Sequence, residues 1–138
     1  MTFTPMHKLS ATPVFFVHDT PSALAFYTDT LGFSLDWTYE EQGRPYVVQV
    51  SLLGLEIILN QRETADDDRV GHGRLFAGLD PAQTAVFLQH VQGKGIPARY
   101  THWGEPTMAI HDLDRNEIFI WLSDAERVRW QKSHAGTA

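Results

Sequence analysis

The sequence predicts an α+β domain of two βαβββ modules, whose strands form one curved eight-stranded mixed sheet with both helices outside. Two helix patterns open on an Asp and an early Pro, at Asp19-Thr20-Pro21 and Asp80-Pro81. Each follows a short apolar run and precedes three strand-like runs. One offset of 61 residues relates Asp19 to Asp80, Phe26 to Phe87, Gly32 to Gly93, and Glu56-Ile57-Ile58-Leu59 to Glu117-Ile118-Phe119-Ile120. A single such module cannot bury both faces of its short sheet, so two side by side make physical sense.

Pro13 to Val17 is apolar, β-branched and aromatic, and has strand length. Thr20 is expected to cap the first helix, Pro21 to fill its first position, Leu24, Tyr27 and Leu31 to form its apolar stripe, and Gly32 to stop it. Phe33 to Tyr39 and Pro45 to Leu52 read as a hairpin around the polar tip Glu40-Glu41-Gln42-Gly43. Gly54 leads into a strand from Leu55 to Asn60. Gln61 to Gly73 is acidic and turn-rich. In the second module Asp80 caps, Pro81 starts the helix, Ala85-Val86-Phe87 carries its stripe and Gly93 stops it. Tyr100 to Trp103, Thr107 to His111 and Glu117 to Leu122 are the strands that follow. The expected organisation is a single domain over 1–138, with a first module at 9–61, an acidic linker at 62–72, a second module at 73–123 and a C-terminal helix at 124–132.

The 138 residues suffice for one domain with a core, at 43% hydrophobic and 20% charged. No run approaches the ~20 apolar residues of a membrane span. Met1 to Met6 has neither a basic nor an apolar leader segment, and the chain has no cysteine, which together predict a cytoplasmic address. Eleven basic residues against 17 acidic ones give a net charge of −6, which repels phosphate backbones and excludes nucleic acid as an expected partner.

The segments Pro13-Val14 with Asp19, Phe26-Tyr27-Thr28-Asp29-Thr30-Leu31-Gly32-Phe33, and Trp103-Gly104 followed by Ile110-His111-Asp112-Leu113-Asp114-Arg115-Asn116 resemble the vicinal-oxygen-chelate superfamily. That superfamily includes glyoxalase I, ring-cleaving dioxygenases, fosfomycin-resistance enzymes and bleomycin-resistance proteins. The likeness spans residues 9 to 123 and is nearest to the bleomycin-resistance branch. It implies the glyoxalase/bleomycin-resistance fold and a homodimer with two grooves across the subunit interface, where the arm Met1 to Ser10 could support strand exchange. Arg115 departs from the pattern, which usually has glycine there. In metal-dependent members of the superfamily, ligands come from the first and last strands of each module. By resemblance those positions are Thr12 and Phe119, and the 61-residue offset gives Gly73 and Ile58 as their partners. None is a metal-ligand side chain, so the resemblance implies no bound metal.

Strand alternation places Glu56, Ile58, Asn60, Glu117, Phe119 and Trp121 on the face away from the helices. With Trp37 and Trp103 these line an expected small-molecule site of aromatic walls and few polar groups. Glu56 and Glu117 point to a ligand that is partly aromatic and could be cationic. The leading function is therefore a metal-free, sequestering binding protein with no catalytic residues, in keeping with drug binding and antibiotic resistance in the resembled branch. One alternative is a lyase, isomerase or transferase using a single divalent ion on His72, Glu56 and Glu117 in an altered register. Another is a module with a degenerate cavity that mediates protein contacts.

Overall fold

The computed structural model describes residues 10–102 and 106–122. The C-terminal helix expected at 124–132 and Trp103 lie outside the described residues. The elements run β1 (Val14–Val17), α1 (Thr20–Ala25), a π-helical turn (Phe26–Thr30), β2 (Ser34–Glu41), β3 (Arg44–Leu52), β4 (Leu55–Gln61), β5 (Arg74–Ala77), α2 (Pro81–Gly93), β6 (Ala98–His102), β7 (Pro106–His111) and β8 (Glu117–Trp121). This is the α+β order expected, βαβββ twice. The strands hydrogen-bond as two four-stranded mixed sheets, β1-β4-β3-β2 and β5-β8-β7-β6, in place of one continuous ladder of eight.

Local chemistry explains the boundaries. The cap of α1 is Asp19 and not Thr20: the Asp19 carboxylate accepts from Ser22 N, while Thr20 is buried as the first helical residue. Asp80 caps α2 as expected, completed by Gln83 in a capping box. Gly32 ends the first helix at φ +83°, but α2 continues through Gly93, and the left-handed residue after it is Gly95 at φ +64°. Two tight hairpin turns have paired positive φ values, Gln42-Gly43 and Leu53-Gly54.

One apolar cluster spans both modules, with Phe15, Tyr27, Ile57 and Leu59 from the first and Phe87, Val91, Ile110, Ile118 and Ile120 from the second. The turn after β7 fastens the modules together. Asp112 is buried and accepts hydrogen bonds from Tyr27 Oη (3.0 Å), Asn116 Nδ2 (3.0 Å) and the backbone N–H groups of Asp114 and Asn116. Asn116 also donates to Phe16 O and accepts from Gly73 N, and Asp114 pairs with the His18 ring at 2.5 Å. Arg115 itself adopts φ +73°, so the turn forms without the usual glycine. Among the described residues, no helix is long and apolar enough to cross a membrane.

The repeat is less regular than one offset suggests. It holds for Asp19 and Asp80 and for the last strands. However, Ile58 pairs with Val14 while Phe119 pairs with Phe76, so the first strands are related by 62 positions. The reason is a shorter connection: Phe15 stands four residues before its helix cap, whereas its counterpart Ala77 stands three before Asp80.

Candidate functional site

Each sheet turns one face to the helices; the opposite, open face is partly exposed in the first sheet, while in the second it carries the exposed Arg74, Phe76, Arg99 and Trp121 around the buried Ala109, Glu117 and Phe119. In β4, Ile57 and Leu59 are buried against α1, so Glu56, Ile58 and Asn60 lie on the open face as alternation requires. Cross-strand pairing adds Val14, Phe16, Gln49, Ser51 and Trp37 to that face. A bulge between Leu35 and Trp37 turns Asp36 the same way, where it accepts from Gln49 Nε2 (3.0 Å) and Ser51 Oγ (2.8 Å). Gln49 Nε2 also donates to Glu56 at 2.6 Å, so one amide links two carboxylates. Trp37 is 42% exposed, and Asn60 is half-buried with its amide turned back to Gln61 O. The first open face is thus acidic with apolar patches.

The second open face carries the opposite charge balance. Glu117, Phe119 and Trp121 of β8 share it with Arg74 and Phe76 of β5, His111 and Ala109 of β7, and Arg99 of β6. Glu117 is buried at 6% exposure and is met from three sides, by Arg74 Nε at 2.7 Å, Arg99 Nη2 at 2.6 Å and His111 Nε2 at 2.9 Å. Burial pushes its carboxyl up, but the Arg99 hydrogen bond and the charges of Arg99, Arg74 and His111 outweigh that and hold it below its ordinary range. Its charge is therefore matched within the chain, unlike the ligand-facing carboxylate expected from sequence. Arg99 crosses the small Ala109 to lie 5.7 Å from the centroid of the buried Phe119 ring.

Sequence reasoning missed Arg74, Arg99 and His111. Arg99 was findable, because it pairs with Ala109 beside Phe119 as Trp37 pairs with Gln49 beside Ile58. Arg74 was hidden by the slipped offset. The same slip corrects the metal positions: Arg74 pairs with Glu117, and the β1 register extended by two residues sets Thr12 beside Glu56. The counterpart of Thr12 is thus Arg74, not Gly73. Gly73 instead packs under Phe15 and Asn116.

An open cleft of about 500 Å³ joins the modules, lined by Thr12, Pro13, Gly54, Leu55 and Glu56 on one side and Leu75 and Phe76 on the other. Of the expected site residues, Glu56 reaches this cleft. Ile58 and Trp37 continue the same open face, and Phe119 and Trp121 lie on the second. His72 is exposed in the loop before β5. Among the described residues no three His, Asp or Glu side chains converge to hold a metal, so the alternative set His72, Glu56 and Glu117 is not assembled.

Paired βαβββ modules with an intermodule cleft define an α+β architecture of two mixed sheets. The chain belongs to the Glyoxalase/Bleomycin resistance protein/Dioxygenase superfamily, whose Glyoxalase family model matches residues 10–124. No curated protein sequence matches it. Among solved structures, it is similar to lactoylglutathione lyase from Agrobacterium tumefaciens (20% identity, 86% of this chain and 95% of that one, TM-score 0.58). It is also similar to the bleomycin-binding protein of Streptomyces verticillus complexed with copper(II)-bleomycin (18% identity, 86% and 99% coverage, TM-score 0.57). A third is an antibiotic-binding protein of a Streptomyces species (22% identity, 83% and 97% coverage, TM-score 0.56). At these identities the likeness is one of fold.

The metal used by some members of this superfamily does not fit the corresponding residues. Ile58 and Phe119 offer no lone pair, Thr12 offers a neutral hydroxyl, and Arg74 carries a permanent positive charge beside its neighbours.

Proposed function

We propose that the chain is a metal-free binding protein that sequesters a small, partly aromatic molecule on its open sheet faces. The observation that supports this reading best is the set Thr12, Ile58, Arg74 and Phe119 at the positions where the resemblance expects ligands. A divalent ion needs three or four converging donor side chains, and an arginine among them repels it. Apolar and aromatic groups set among charged ones instead suit binding by shape and charge complementarity, with no bond made or broken. The binding of bleomycin and of an antibiotic by proteins of like fold accords with a drug or natural product as cargo. Trp37, Glu56, Ile58 and Asn60 form one wall of the proposed site, and Glu117, Phe119 and Trp121 belong to the other, with Trp103 as a further contact. The working unit of this reading is a homodimer with two grooves across the subunit interface.

Metal analysis of protein purified without added ions tests the reading. The expected result is no stoichiometric divalent metal, and ligand binding that survives chelator treatment. Near-stoichiometric nickel, zinc, manganese or iron, removed by chelator together with an enzymatic activity, would overturn it.

A further inference from the structure

We infer that the second open face is a subsite for an anionic group, in which Arg99, supported by Arg74 and His111, takes the carboxylate of a planar aromatic ligand. This rests on the binding-protein reading and adds the charge of the cargo to it. Two permanent cations converge on one buried carboxylate, leaving a local charge of about +1 before His111 is counted. That surplus stands in a chain of net charge −6, where solubility alone supplies no reason to gather arginines on one sheet face.

The two guanidinium groups differ in their commitments. Arg74 is fastened by Glu117 and by the carbonyl oxygens of Gly71 and Gly73, so it is a fixed charge. Arg99 is 51% exposed at its side chain and, among the described residues, meets a polar partner only at Glu117 through Nη2. Its remaining N–H donors suit the planar, two-point hydrogen bonding of a ligand carboxylate. Glu117 then acts as an internal stand-in, holding both arginines in place and competing weakly with the incoming anion. Phe76 at 49% exposure and Trp121 at 36% supply aromatic surface on the same face, beside Phe119.

The test uses three naphthalene probes of one shape, 2-naphthoate, 2-naphthamide and 2-naphthylmethylammonium, titrated calorimetrically into the full chain. Naphthoate is expected to bind about tenfold more tightly than the amide, as one charge-assisted contact of about 1.4 kcal/mol requires. Arg99→Met, which keeps the stem over Phe119, is expected to remove that preference, bringing the naphthoate-to-amide affinity ratio down to about one. Glu117→Gln is expected to tighten naphthoate by removing the competing carboxylate; should that variant unfold, Arg99→Met decides alone. Equal affinity for all three probes, a preference for the ammonium, or an Arg99→Met variant with the preference intact would overturn the subsite. Equal affinity would leave the binding-protein reading standing. Naphthoate preference in protein carrying stoichiometric catalytic metal would do the reverse.

Discussion

Replacing Tyr27 by Phe tests whether the turn after β7 clamps the two modules through a buried charge. Tyr27 is fully buried, and its hydroxyl donates to Asp112 Oδ2 at 3.0 Å. The ring stays in place in the variant, packed edge-on against Phe33 at 5.2 Å, so apolar burial changes little and the lost donor dominates. A hydrogen bond to a charged acceptor contributes about 1.5–3 kcal/mol and one to a neutral acceptor about 1 kcal/mol. The state of Asp112 therefore sets the cost. Burial raises its carboxyl above the ordinary value of 3.8, against the donors from Asn116, Asp114 and Tyr27 that lower it. With a raised folded-state value, the native protein binds the proton more tightly than the unfolded chain, so this group's contribution to stability falls as pH rises through that value. Removing the Tyr27 donor raises the value further. The deficit of Tyr27→Phe should thus be about 2 kcal/mol at pH 7 and narrow to about 1 kcal/mol on acidification, as Asp112 becomes protonated. Urea unfolding of both proteins across this range, with unchanged m, reads the difference directly. A deficit below about 0.5 kcal/mol at neutral pH, or one that does not shrink on acidification, would refute the clamp as described.

Gly73→Ala should cost about 1–3 kcal/mol in urea unfolding, because its new methyl would meet the Phe15 ring and Asn116 Oδ1 at 2.8 Å, and Phe15 is buried at 1% exposure with no room to retreat. Arg115→Gly should raise the denaturation midpoint by about 0.5 kcal/mol equivalent, since φ +73° is strained for Arg and free for Gly, partly offset by glycine's entropy; a lower midpoint would contradict the strain. Arg74→Ala should lower thermal stability by about 1–2 kcal/mol, through loss of its bonds to Glu117, Gly71 and Gly73. An unchanged melting temperature would show that Arg99 and His111 suffice to neutralise Glu117.

The fold was legible because its signals are local. Asp80 with Gln83 three residues on, Gly32 after an apolar stripe, and Gln42-Gly43 between strand runs each act through a single turn of backbone. The alternation in β4 and β8 likewise separated Ile57 and Leu59 from Glu56 and Ile58, because side-chain facing follows from strand geometry alone. The boundary errors are local competitions that composition does not settle. Asp19 outbids Thr20 as cap because its carboxylate reaches Ser22 N, and Gly93 is tolerated inside α2 because Gly95 supplies the left-handed residue.

The electrostatic character of the site was not legible, and one missing residue explains much of that. With a uniform 61-residue offset, the partner of Thr12 is the neutral Gly73, and Glu117 looks like an unpaired carboxylate awaiting a cation. The three-residue connection from Ala77 to Asp80 moves β5 by one position, which reverses every side chain in that strand. Arg74 then points at Glu117 and Leu75 into the core, and the second face changes from acidic to basic. Arg99 completes the reversal by reaching Glu117 across β7, where its direct partner is the small Ala109. Charge on a sheet face is a property of register between strands distant in sequence, so a single-residue change in a loop can invert the kind of ligand that face attracts while leaving the fold untouched.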